Sequence, residues 1–274
     1  MKPYERLLKY VRIDTQSDPD SLTSPSAMKE FDLLEALKEE MTEMGLKPKL
    51  TDTGYLYAKI PGNMKADPIG FISHVDTAQG ISGADVNPRI VEHWDGSDIP
   101  LNEKYSLKLA DFPSMSRYVG KSLMVTDGNT LLGADDKTGV AVIMTLVQYL
   151  YDRPSFKHGP LKIAFTPDEE IGTGITHFDV PGFGADYAYT LDGSDIGQLT
   201  DENFNAKSFT AVFEGNRAVH PGEAMNSPFS DNLLMASDFH TLLPRQQRPE
   251  ASAGRRGFIL VDSITTSQDR SEVV

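Results

Sequence analysis

The stretch Leu161-Lys162-Ile163-Ala164-Phe165-Thr166-Pro167-Asp168-Glu169-Glu170-Ile171-Gly172 runs an apolar strand directly into three successive carboxylates. Six mostly apolar residues followed by proline read as a buried strand that stops where the loop begins. Three neighbouring carboxylates repel one another, so the loop is either solvated or turned toward a cation. Taken alone, the solvated loop is the plainer reading.

Working outward, the same pattern recurs. Ile69-Gly70-Phe71-Ile72-Ser73-His74 is an apolar strand leading into Val75 and Asp76, and period-two alternation puts His74 and Asp76 on one side. A metal-binding histidine needs its second ring nitrogen held by an acceptor, commonly a carboxylate. A third strand, 187–191, ends at Asp192-Gly193. The fourth segment, Leu132-Gly133-Ala134-Asp135-Asp136-Lys137-Thr138-Gly139, leads into a helix over about 138–151 with Val140, Ile143, Met144 and Val147 inward. Here the glycines permit a sharp turn after a strand, and either aspartate could cap the helix. Each signal is modest by itself, since an isolated H-x-D reads first as a polar strand end. All four follow predicted strands, however, and the carboxyl ends of strands in an open α/β sheet converge on one crevice.

Further helices are expected over 4–13, and from Pro25, as first helical residue, to the stop at Gly45 along the stripe Met28, Phe31, Leu34, Leu37, Met41 and Met44. A strand is expected over 54–60, and 84–121 reads as irregular. Alternating helices and apolar strands predict an α/β fold: a mixed, largely parallel sheet with helices on both faces. A second unit begins near Ala206. There Phe209, Ala211 and Phe213 alternate as in a half-exposed strand, followed by a helix over 231–243 and a strand over 257–264. We therefore expect a catalytic domain over 1–205 and a smaller, incomplete α+β lid over 206–274.

Composition narrows the chemistry. Forty acidic against 26 basic residues leave a formal net charge of −14, which argues against nucleic acid and anionic membranes as partners. With no cysteine, disulfides and thiolate sites are excluded, and any metal is left to His, Asp and Glu. The opening residues lack a signal-like apolar run and no stretch has the length of a membrane span, so the expected location is the cytoplasm. One imidazole with several carboxylates suits two zinc ions ~3.5–4 Å apart.

The order H-V-D, G-A-D-D-K-x-G, D-E-E-I-G and L-D-G resembles the two-zinc exopeptidase and aminoacylase superfamily. Gly83–Arg89, Gly96–Leu101 and Glu202-Asn203-Phe204-Asn205-Ala206 are similar to features of its tripeptide aminopeptidase subgroup. The resemblance implies that His74 binds one zinc with Asp76 orienting its ring, that Asp135 bridges both ions, and that Asp136 sits beside it. It implies Glu169 as the general base acting on a zinc-bound water, Glu170 as a ligand of the second zinc, and Asp192 as a ligand of the first. His220, in Val219-His220-Pro221-Gly222, matches a lid residue that holds the substrate carbonyl. The same resemblance implies short peptides, tripeptides above all, as substrates and a homodimer formed through the lid.

Members of this superfamily continue beyond the point matching Val274, and the return supplies a histidine to the second zinc. None of His93, His158, His177 or His240 sits in a matching context. The stretch 223–274 matches the lid only patchily, best at 232–239. Reduced stability and little or no activity are therefore expected of the isolated chain. An N-acyl amino-acid hydrolase and an inactive zinc-binding or dimer-forming remnant are the alternative readings, the former disfavoured by 84–101.

Overall fold

The computed structural model describes residues 1–193, 196–203, 205–215, 221–226, 230–267 and 272–273, and the chain divides into two compact units, Met1–Ile196 and Gly197–Val274. Apart from short 3₁₀ turns, the first unit comprises α1 (Pro3–Tyr10), α2 (Glu30–Glu43), β1 (Lys49–Leu50), β2 (Leu56–Ile60), β3 (Ile69–His74), β4 (Arg89–Val91), β5 (Ile99–Pro100), β6 (Ser106–Leu107), β7 (Leu123–Val125), α3 (Ala134–Tyr151), β8 (Leu161–Thr166), α4 (Val180–Phe183) and β9 (Tyr187–Thr190).

The central sheet has the order β1-β2-β8-β3-β9. β3 pairs in parallel with both β8 and β9, whereas β2 is antiparallel to β1 and to β8. Four strands thus run one way and only β2 opposes them. The register sets His74 opposite Thr166 and Ile72 opposite both Ala164 and Thr190, which brings three carboxyl ends to one edge of the sheet.

Alternation along the strands decides which side chains go where. Leu56, Ala58, Phe71, Ile163 and Phe165 share one face and pack with Tyr10 of α1, Leu33, Leu34, Leu37 and Met41 of α2, and Val140, Ile143, Met144 and Val147 of α3. The opposite face carries Tyr57, whose ring meets Phe178 at 5.5 Å and Phe183 of α4 at 6.3 Å. Gly70 is required there, because a Cβ on it would lie 2.7 Å from the Phe183 ring. Helices cover both faces unequally, three on one and the single-turn α4 on the other.

Several local expectations need correction. α2 begins at Glu30, not at Pro25, and side chains hold the turn before it: Ser26 N–H donates to Asp168 and Ala27 N–H to Glu30. Met28 is consequently 75% exposed instead of joining the apolar stripe. α1 buries Arg6, which donates to Tyr10 and Glu40 and ties the first two helices together. Nor is 84–121 featureless, since β4 pairs with β7 and β5 with β6 around a small cluster of Trp94, Ile99 and Val125.

The second unit comprises β10 (Phe213–Glu214), α5 (Asn232–Leu242) and β11 (Glu272–Val273), with β10 and β11 antiparallel. Asp231 caps α5 by accepting the N–H groups of Leu233 and Leu234. Only Phe213 of the expected alternating strand enters a ladder, Phe209 is 70% exposed, and 257–264 forms no strand. Among the described residues, no helix is long and apolar enough to cross a membrane.

Candidate active site

His74 closes β3 and is almost fully buried. Its Nδ1 lies 3.0 Å from the main-chain oxygen of Asp76 and 3.2 Å from Asp76 Oδ1, two acceptors that favour the Nδ1–H tautomer. Nε2 is thereby turned into the crevice, 3.1 Å from Asp135 Oδ1 and 3.9 Å from both Glu169 Oε2 and Asp192 Oδ2.

Asp76 is wholly buried and has a second task. Its Oδ1 accepts from Glu169 N at 2.9 Å and its Oδ2 from Glu170 N at 3.1 Å. One carboxylate therefore orients the imidazole and pins the turn that carries Glu169 and Glu170. That turn leaves β8 through Asp168, a non-glycine residue with φ +58°. The side chain of Glu170 lies near Asp135, whose charge raises its pKa after the effect of burial.

Asp135 arrives differently from the other three motifs. β7 ends at Val125 and belongs to the small ladder with β4, so no strand of the main sheet precedes Gly133. Instead Gly133, at φ +70°, turns the chain into the start of α3, where Asp135 and Asp136 have non-helical backbones. Asp136 faces inward: its Oδ1 accepts from Gly139 N at 3.0 Å and its Oδ2 from Ser73 Oγ at 2.5 Å. Burial pushes its carboxyl up to about 7. Asp192 follows β9, while His220 lies outside the described residues.

The electrostatics are those of a carboxylate cluster around one imidazole. Burial opposes the charge of His74, yet hydrogen bonding to Asp76 and the charges of Asp76, Asp136 and Asp192 outweigh it and push the ring up to about 10. Glu169, Glu170 and Asp192 are raised, first by burial and then by neighbouring carboxylates against the opposing pull of His74. Carboxylates that resist ionising next to one another favour a cation between them. His74, Asp135 and Asp192 each offer a ligand atom, all within 4.8 Å of one another, so this group could hold a metal ion.

Reading the sequence left unnoticed the groups that brace this crevice. Lys137 is 1% exposed, its Nζ donates to Ile13 O at 2.7 Å, and burial depresses its pKa to about 8. Glu30 and Asp168 are buried behind the Glu169–Glu170 turn. Charged residue types carry no sequence sign of burial, so neither periodicity nor spacing could have marked them.

No family model matches the chain. It is 48% identical to peptidase T of Clostridium perfringens over 275 residues, 99% of this chain and 67% of that protein. The chain belongs to the peptidase T family. Peptidase T of Lysinibacillus sphaericus is likewise 48% identical over 258 residues, 93% of this chain and 63% of that one. The chain spans about two thirds of the length of these curated relatives. Among solved structures, aminopeptidase PepT from Bacillus cereus aligns with a TM-score of 0.66 at 17% identity, over 99% of this chain and 62% of that one. A tripeptidase from Staphylococcus aureus aligns with a TM-score of 0.67 at 16% identity, over 99% and 64%. At these identities the two structures speak for the fold alone, a mixed α/β sheet that the peptidase T chain shares.

Proposed function

We propose that this chain carries the chemistry of a zinc-dependent aminopeptidase that releases the N-terminal residue of tripeptides. The observation that carries the reading is the convergence of His74, Asp135 and Asp192, with Glu169 Oε2 3.9 Å from His74 Nε2. The donor set of one imidazole and carboxylates, with no thiolate in the chain, suits zinc. His74, Asp135 and Asp192 would hold the first ion, and Asp135 with Glu170 would serve the second. Zinc supplies Lewis acidity toward the peptide carbonyl and lowers the pKa of water to about 7.

Glu169 takes the proton of the attacking water and delivers it to the departing amine. Burial and its carboxylate neighbours raise its pKa, which suits a base that must also act as an acid. Asp76 holds the His74 ring and the Glu169 amide together, so base and ligand keep a fixed separation. His220 is assigned to substrate binding by the resemblance of its motif. In this reading 1–205 is the catalytic domain, 206–274 the lid, and a homodimer forms through the lid in the cytoplasm. Exposed apolar side chains of the second unit, among them Phe209, Leu242 and Leu260, support an interface there.

The test is a zinc count together with tripeptide hydrolysis by the purified chain, with Glu169→Gln as control. The reduced activity expected of the isolated chain sets the scale: zinc bound by both proteins, with a low tripeptide hydrolysis that only the variant loses entirely, is the expected result. Zinc binding without hydrolysis in either protein would overturn the enzymatic reading and leave a metal-binding module.

A further inference from the structure

Two carboxyl groups that the proposed chemistry does not use lie buried behind the crevice. Glu30 is 0% exposed and Asp168 1%. Glu30 Oε1 accepts from Ala27 N at 3.2 Å and from Ser26 Oγ at 3.3 Å, while its Oε2 accepts from Asp168 N at 3.3 Å. Asp168 in turn receives Ser26 N on both oxygens, at 2.9 and 3.0 Å. The start of α2 is thus stitched to the residue that opens the Glu169–Glu170 turn. The next two amide groups along that turn are the ones held by Asp76. Three consecutive N–H groups, at 168, 169 and 170, therefore end on two buried carboxyls.

We infer that Glu30 is a positioning residue for the Glu169–Glu170 turn, acting through Asp168. Without the Glu30 acceptor the Asp168 amide is buried and unsatisfied, which is unfavourable for a group that strong. Asp168 relieves that cost most easily by leaving its left-handed conformation, a backbone state unfavourable for a residue with a Cβ. Such a move swings Glu169 and Glu170 away from Asp76. The form of Glu30 that fits is the neutral acid. Burial, followed by the charges of Asp168 and Asp76, pushes its pKa up to about 9, so it donates its proton to Asp168 while accepting from the three groups named. Glutamine keeps one carbonyl oxygen for Ala27 N and Ser26 Oγ but sets its amide nitrogen against the Asp168 N–H, donor against donor; alanine has no acceptor at all, and aspartate falls one methylene short.

Hydrogen exchange at single amides tests this without relying on catalysis. In Glu30→Ala the amides of Asp168, Glu169 and Glu170 should exchange at least tenfold faster than in the parent, with the amides of β8 unchanged. Glu30→Gln keeps the size and the acceptor for Ala27 N but loses the one for Asp168 N, so it should show the same acceleration. Should the alanine variant fail to fold, Glu30→Asp gives the same comparison with a carboxyl retained. Unchanged exchange at 168–170 in Glu30→Gln, or in the alanine or aspartate variant, would overturn the inference. The effect on rate rests on the aminopeptidase reading: kcat for a tripeptide should fall at least tenfold in Glu30→Ala and in Glu30→Gln, with KM within twofold. A chain that hydrolyses nothing but shows the exchange pattern refutes the aminopeptidase reading and leaves the positioning role intact.

Discussion

Replacing Asp76 by asparagine changes charge and one acceptor atom while keeping size. The carboxylate serves three partners: His74 Nδ1 at 3.2 Å and Glu169 N at 2.9 Å on Oδ1, and Glu170 N at 3.1 Å on Oδ2. Asparagine has one carbonyl oxygen. Pointed at His74 and Glu169, it leaves its amide nitrogen facing the Glu170 N–H, donor against donor. The His74 ring is less affected, because the main-chain oxygen of Asp76 still accepts from Nδ1 at 3.0 Å. The damage therefore concentrates on the Glu170 end of the turn. A buried donor without a partner costs about 1–3 kcal/mol, and the remaining bonds lose their charge assistance, roughly half their strength. A loss of about 2–4 kcal/mol is the expected balance. Zinc affinity should fall between tenfold and a hundredfold, the usual effect of removing a group that orients a ligand. Urea denaturation of the metal-free protein measures the first quantity and competition with a chromophoric chelator the second. An Asp76→Asn protein with unchanged stability and unchanged zinc affinity would refute the claim that this carboxylate braces both sides of the crevice.

Gly139 offers a steric counterpart. A Cβ there would stand 2.3 Å from the carbonyl oxygen of Leu191 and 2.5 Å from Asp136 Oδ1, so Gly139→Ala must shift the start of α3 or the chain before Asp192. Destabilisation of about 1–3 kcal/mol and at least tenfold weaker zinc binding are expected; normal values in urea and chelator titrations would show that the contact relaxes without disturbing the ligands. The third prediction concerns pH. The Glu30 pKa is raised from its ordinary 4.5 to about 9, so the folded state holds this proton more tightly than the unfolded chain. Its stabilisation is complete below the unfolded value and is lost as pH rises through the folded one, by at most ~1.4 kcal/mol per unit. Glu30→Gln cannot titrate, so its stability should gain on the parent between pH 5 and 8.5, with Asp168, Asp76 and Tyr55 facing the same site in both proteins. A difference in urea midpoint that stays constant over this range would refute it.

The strands and motifs were readable for a simple reason. Ile69–His74 and Leu161–Thr166 are the parallel pair at the middle of the sheet, partly to fully buried, and such strands write their burial into continuous apolar runs. Val140, Ile143, Met144 and Val147 declared the inner face of α3 through helical spacing. The beginning of α2 was misread because Pro25 satisfies a local rule for helix starts, while the distant Asp168 claims the amide group of Ser26 and Glu30, three residues on, that of Ala27. In 84–121 the short ladders pair residues far apart in sequence, such as Arg89 with Val125, and too few alternate to leave a period.

By itself the sequence determined the order of the four acidic segments, the class of sheet in the fold and the absence of thiolate ligands. These depend on residue type and on spacing within single elements. Only the tertiary structure decided that Asp135 enters from a helix start, that Asp76 serves the turn as well as the imidazole, and that Glu30 and Asp168 lie buried beneath it. The reason is physical: a carboxylate's role is set by the donors and the dielectric around it, and those are assembled from parts of the chain up to 142 residues apart.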